Sequence, residues 1–189
     1  MDIGVLKDEL LSINAYIYFD ENEYLREKPK DPEVIKAFVS KLEVALKHVE
    51  EDEDVYFLQG TLGNLYRILG QPEKAIAHLT RSLEVAIEKK DEKKEVVSYI
   101  RLGEALKYDN QHEMALHYFN RAFTYCEKSD LKVFKDFALQ HKGKCLLEQG
   151  KLDEALSCFH EALEIRKAKN EPSLIDSTEQ AIQLVAQIR

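Results

Sequence analysis

A spacing of 40 residues runs through this chain and leaves few folds open to it. Gly63, Gly103 and Gly143 fall in register, as do Ala75, Ala115 and Ala155. Leu79, Phe119 and Phe159 follow, then Ser82, Ala122 and Ala162, then Leu83, Phe123 and Leu163, with Ile76, Leu116 and Leu156 between them. Self-similarity at a period of about 20–50 residues marks stacked supersecondary units, none of which can bury its apolar face alone.

Each copy spells two helices. The first is expected over Val55 to Leu69, Glu95 to Tyr108 and Asp136 to Gln149. Gly70 and Gly150 then supply stops suited to a left-handed helix end, and Asp109-Asn110 stands in for them in the middle copy. The second helix is expected to start near Pro72, Glu113 and Asp153, since Pro and acids favour a first helical turn. Gly63, Gly103 and Gly143 lie mid-helix, where Gly costs about 1 kcal/mol against Ala. That cost predicts a partner helix crossing too closely for a Cβ, with Ala75, Ala115 and Ala155 as small residues on the crossing helix.

The set Leu62-Gly63, Tyr66, Gly70, Ala75, Leu79, Ser82 resembles the tetratricopeptide repeat. So do Leu102-Gly103, Leu106, Ala115, Phe119, Ala122 and Gly143, Leu146, Gly150, Ala155, Phe159, Ala162, with a departure at Lys142, where the family has an apolar residue. The period of 40 is similar to that of kinesin light chains and bacterial peptide-sensing regulators. The resemblance implies an all-α, right-handed solenoid of stacked antiparallel helix hairpins. Repeats are expected over about 55–94, 95–134 and 135–170, after a worn hairpin in 1–54 and before a capping helix in 171–189. Phe19 to Lys30 reads as the longest irregular segment; with Tyr24 and Leu25 it could cover one end of the groove.

The formal charge of −8 argues against nucleic acid as the main partner, because phosphate binding needs a basic surface. No apolar run reaches the length of a membrane span, and the segment Met1 to Glu9 lacks the order of a secretory leader. Cys126, Cys145 and Cys158 form a sparse, odd set unlike a disulfide framework, so a cytoplasmic protein is expected.

In the family the first helix of each hairpin lines a concave face. The resemblance therefore implies a peptide-binding groove with Asn64 and Arg67 from the first repeat, Arg101, Glu104, Lys107 and Tyr108 from the second, and Gln140, His141 and Lys144 from the third. These positions are expected to be exposed, along with Phe57, Ile68, Leu147 and Glu148. Asn64 matches an asparagine that many family members use to hold a ligand backbone. Gly60 replaces the lysine of the chaperone-tail clamp, which leaves that clamp incomplete. His141, Cys145, Cys158 and His160 could in principle meet at zinc, yet both cysteines occupy ordinary repeat slots, and no metal or other cofactor is expected. No phosphate loop or nucleophile motif is present, so the expected role is non-enzymatic: an adaptor, scaffold or peptide receptor for a protein or peptide partner. The alternatives are a homo-oligomeric scaffold, at its simplest a homodimer, and a peptide-sensing regulator without its own effector domain.

Overall fold

A computed structural model describes residues 2–128 and 130–189; Met1, where the leader reading begins, lies outside them. Helix α1 (Ile3–Ile13) leads into strands β1 (Ile17–Asp20) and β2 (Arg26–Pro29), then α2 (Pro32–Leu46). Three helix hairpins follow: α3 (Asp52–Ile68) with α4 (Pro72–Glu88), α5 (Glu92–Tyr108) with α6 (His112–Lys128), and α7 (Lys135–Glu148) with α8 (Leu152–Lys169). Helix α9 (Pro172–Ile188) packs on α8. The architecture is the expected α-solenoid.

Helix ends keep a stricter rhythm than the repeat itself. Gly70, Lys90, Asn110, Gly150 and Asn170 all take positive φ, at 72°, 54°, 59°, 72° and 56°. At Gly70 the Gln71 amide donates to the Tyr66 carbonyl and the Gly70 amide to that of Arg67. The same pair of bonds recurs at Lys90, Asn110, Gly150 and Asn170, so each stop satisfies two orphan carbonyls in a Schellman turn. Helix α3 starts at Asp52, three residues before the expected Val55, because Asp52, Glu53 and Asp54 favour the positive end of the helix dipole.

The glycines do what their cost predicts. A Cβ at Gly103 would stand 2.6 Å from Phe119 Cε1, and one at Gly143 would stand 2.6 Å from the same atom of Phe159. At Gly63 it would meet Leu79 Cγ at 2.4 Å and the Ala75 carbonyl oxygen at 3.0 Å. The second helix of each hairpin thus presses a large side chain, and at Gly63 its backbone as well, onto the bare backbone of the first. Phe119 and Phe159 are fully buried there.

A buried polar knot ties α7, α8 and α9 together. Arg166 on α8 donates to Asp136 of α7 at 2.9 Å, and to the Leu174 carbonyl and Thr178 hydroxyl of α9 at 3.1 and 2.7 Å. One guanidinium therefore sets the angle of three helices, and its charge is compensated by a carboxylate that is itself fully buried.

The stretch from Phe19 to Lys30 is not irregular. Strands β1 and β2 pair antiparallel, Ile17 opposite Pro29 and Asp20 opposite Arg26, and the Lys30 amide closes the open end on the Tyr16 carbonyl at 2.7 Å. Strands of four residues carry too little alternation to register in a sequence pattern.

Gly103→Leu is expected to destabilise the fold by about 1–3 kcal/mol or more, since Phe119 cannot yield without opening the α5–α6 crossing. Urea denaturation followed by circular dichroism checks this; a change under ~0.5 kcal/mol would show that the crossing tolerates side chains.

Candidate functional site

Helices α3, α5 and α7 stand side by side; Asn64, Arg67, Arg101, Glu104 and His141 line a common cavity between them, Lys107 pairs with Glu104, Tyr108 lies against Arg67, and Gln140 and Lys144 are carried on α7. The expectation that these positions are open to solvent needs correction. Arg67, Glu104, Lys107, Gln140 and Lys144 are buried, Lys107 completely, as are Ile68 and Leu147. For Arg67, Lys107 and Lys144 a contributor is the β-hairpin, which folds back into the groove and bonds to each of them.

Leu25, at the tip of the hairpin, is 2% exposed and packs with Leu139, Leu146, Leu147 and Phe159. Its carbonyl accepts from Lys144 Nζ at 3.4 Å, and the same ammonium sits 4.7 Å from the Phe19 ring centre. Arg26 forks onto Glu148, with Nε and Nη2 at 2.9 and 2.6 Å from its two oxygens, and also reaches the Lys107 carbonyl at 3.1 Å. The Glu27 amide donates to the Tyr108 hydroxyl at 2.5 Å while its carboxylate takes Arg67. Gln180 on α9 donates to Glu21 at 2.9 Å. Sequence reasoning singled out Tyr24 and Leu25 as a cover for one end of the groove but missed Arg26 and Glu27, whose charges carry no period.

Tyr24 and Leu25 both sit in the left-handed region, at φ 55° and 60°. Asn-Gly takes this conformation readily, whereas each L-residue with a side chain costs roughly 1–2 kcal/mol there. Burying Leu25 returns about 1.5–3 kcal/mol, which is of the same size. The hairpin is therefore held by its contacts with the groove and not by its own turn, as expected for two strands alone.

A network of charges lies beneath it. Glu104 faces Lys107 at 3.1 Å, His141 at 3.0 Å and Arg67 at 3.7 Å, and Glu148 faces Lys107 at 3.5 Å and His112 at 3.0 Å. Burial alone would push Glu104 upward, but Lys107, His141 and Arg67 outweigh it and hold its pKa well below the usual carboxylate range. Arg67 also stacks 4.6 Å above Tyr108, and its Nη2 donates to Asn64 Oδ1 at 2.7 Å. The favoured asparagine is thus tied to its own helix. The amide of buried Gln140 has neither its oxygen nor its nitrogen hydrogen-bonded.

Two cations stay unbalanced. Lys144 has no carboxylate within ion-pair reach; burial first, and the neighbouring Lys107 second, push its pKa down to about 8. Among the described residues Arg101 has neither ion pair nor hydrogen bond, and burial, with Arg67 nearby, lowers its pKa as well. Its guanidinium lies over Gly60, where a Cβ would come within 2.7 Å of Nη1. The residue that breaks the chaperone-tail clamp therefore makes room for Arg101. Beside it opens a cavity of about 350 Å³, walled by Arg101, Asn64, Arg67, His141, Glu27 and Glu104 on its polar side and by Val97, Ile100, Phe134 and Phe137 on its apolar side.

All three cysteines are buried free thiols, and burial pushes Cys145 up to about 12 and Cys126 up to about 11, which leaves both protonated. Among the described residues no group of three or more His, Cys, Asp or Glu side chains is placed to hold a metal ion. No helix among them is long and apolar enough to cross a membrane.

Profiles of the tetratricopeptide repeat match residues 54–128 and 137–168. The chain belongs to the tetratricopeptide-repeat family. No curated protein matches it. Among solved structures, the apo form of RapI superposes with a TM-score of 0.67 at 18% identity, over 82% of this chain and 57% of RapI. A Rap protein complexed with Competence and Sporulation Factor gives a TM-score of 0.67 at 17% identity, over 79% of this chain and 42% of that one. Kinesin light chain repeats from Podospora anserina give 0.60 at 15%, over 81% and 77%. The chain thus spans little more than half of RapI, and at these identities the likeness is one of fold.

The Lys144 ammonium has a titration that can be read. Its folded pKa of about 8 lies below the ordinary lysine value, so between these two the unfolded chain binds more protons than the folded one. Stability contributed through this group must then rise with pH from about 8 toward about 10.4. Lys144→Met is expected to remove that slope, and the stability difference between wild type and variant, measured by urea melts from neutral to alkaline pH, should shift in favour of wild type as pH rises. A constant difference across the range would mean that the ammonium is not desolvated.

Proposed function

We propose that the chain is a peptide or protein receptor, an adaptor without catalytic machinery, and that its ligand enters the cavity between α3, α5 and α7. The observation that carries this reading is Arg101, a half-buried guanidinium with no ion pair or hydrogen bond among the described residues, on the wall of a cavity that is otherwise apolar along one side. A charged donor left unsatisfied is costly, so a site that keeps one is suited to a ligand that satisfies it. The complementary group is a carboxylate beside an apolar side chain, as an acidic residue next to an aliphatic or aromatic one provides. Asn64 and His141 offer further polar contacts, while Phe134 and Phe137 offer an apolar floor. Family membership supports a binding role for the fold, and a structurally similar Rap protein is complexed with Competence and Sporulation Factor.

The homo-oligomer alternative asks for an apolar face on the last helix. Helix α9 turns Ala181, Leu184 and Val185 inward, and among the described residues Ile188 is its only exposed large hydrophobic. Groove binding is the better supported reading.

Short random peptides displayed on phage and selected on the wild-type protein are expected to converge on an acidic residue next to an apolar one. Arg101→Ala, with helicity confirmed by circular dichroism, should weaken the selected peptides by about 10- to 100-fold, the worth of one hydrogen bond to a charged group. Peptides without acidic residues, or equal affinity for both proteins, would move the site off this cavity.

A further inference from the structure

The β-hairpin sits where a ligand of the C-terminal half of the groove would sit, and it uses the contacts that such a ligand would use. Leu25 is buried in the apolar cluster that holds Leu139, Leu146, Leu147 and Phe159. Its carbonyl meets Lys144, Arg26 meets Glu148, and Glu27 meets Arg67 and Tyr108. Main-chain bonds to polar side chains, with an aliphatic anchor and alternating charges, make up the pattern by which a groove holds an extended segment. We infer that residues 17–29 are a built-in ligand: the groove is a strand-binding site already occupied by its own chain, and an outside partner engages it by displacing the hairpin. That partner is an extended protein segment carrying a large aliphatic residue, then a basic one, then an acidic one. The inference rests on the reading of the concave face as the binding surface, and extends it from the Arg101 cavity to the region beside α7.

Three features make the hairpin suited to leaving. Its tip carries two consecutive left-handed residues, Tyr24 and Leu25, and so stores backbone strain that undocking releases. Its two strands have no third strand to hold them. Its Tyr18 and Tyr24 side chains remain 42% and 40% exposed, so the hairpin is covered from one side only in part. The groove walls gain nothing by its departure alone: Glu148 and Arg67 would each lose a partner of opposite charge. Exchange for a segment with the same charge order is therefore favoured over simple opening.

The test uses a fluorescein-labelled synthetic peptide with the sequence of residues 17–29, added to the full chain and followed by anisotropy. Leu25→Ser with Arg26→Ala frees the native hairpin without altering the groove walls, and amide exchange at Glu27, whose N–H donates across to the Tyr108 hydroxyl, reports its release. The peptide should bind this variant at least about tenfold tighter than wild type, and a peptide carrying the same two replacements should not bind. Adding Glu148→Ala to the freed variant should abolish the gain. If exchange shows the hairpin released and the peptide binds neither protein, or binds both alike, the hairpin is a structural plug and the inference fails. Should the double variant lose helicity, Arg26→Ala alone provides the loosened state, with the same two outcomes. Arg101→Ala measured in parallel separates the two readings. Loss of the selected acidic peptides with no trans binding of the hairpin sequence would sink this inference and leave the receptor role standing.

Discussion

The contact between a bare stretch of helix and a large side chain sets everything else in this molecule. At Gly103 and Gly143 a phenylalanine from the following helix lies where a Cβ would stand, and at Gly63 a leucine does the same. That approach fixes the crossing of each hairpin, and the crossing fixes which side of α3, α5 and α7 is left facing inward. Ser82, Ala122 and Ala162, one turn further along, are fully or almost fully buried and keep the interface thin. Because each stop falls 20 residues from the next where Gly70, Lys90 and Asn110 succeed one another, successive helices have the same length and the groove keeps an even wall.

On that wall the chain collects charge against its overall sign. Arg67, Arg101, Lys107 and Lys144 stand there with Glu104 and Glu148, while the whole protein carries −8. Charges so placed interact through a medium less polarisable than water and are little screened by salt. Glu104 is held ionised because Lys107 and Arg67 converge on it and His141 lies within hydrogen-bond reach, and Lys107 stays charged between two carboxylates. Arg67 is drawn toward Glu27, a residue of the hairpin. The network is complete only with a strand in the groove, which is why the hairpin belongs to the electrostatics of the site as much as to its shape.

How much of this the sequence disclosed follows from what repeats. The hairpins, their glycine stops and the close crossings are periodic and therefore legible: Gly63, Gly103 and Gly143 announce the crossing, and Asn110 substitutes for glycine where the argument from left-handed geometry expects it. Lys90 was not legible as a stop, since lysine has no preference for positive φ; only its place midway between Gly70 and Asn110 marks it. That Asn64, Arg67, Arg101, Glu104 and His141 would share one lining was foreseeable from the repeat, because they stand on the first helices of successive hairpins. The burial of Arg67, Lys107 and Lys144 was not. It depends in part on residues 17–29, which lie outside the repeat and meet their partners across separations of 122 positions between Arg26 and Glu148 and 159 between Glu21 and Gln180. No local pattern encodes such a contact.

The arrangement also says what kind of selectivity this groove can have. An apolar socket alone discriminates weakly between aliphatic side chains, because one methylene changes binding by only about 1–3 kcal/mol. Buried ionised groups discriminate strongly, since a ligand that fails to meet them leaves a desolvated charge unpaired. Glu148 asks for a cation, Arg67 and Arg101 ask for anions, and their order along the groove is fixed by helices locked at glycine crossings. A segment with the charges reversed would place like against like at both ends. Affinity can then come from the leucine-sized anchor while identity comes from the sequence of charges, and the chain's own Leu25-Arg26-Glu27 obeys that order.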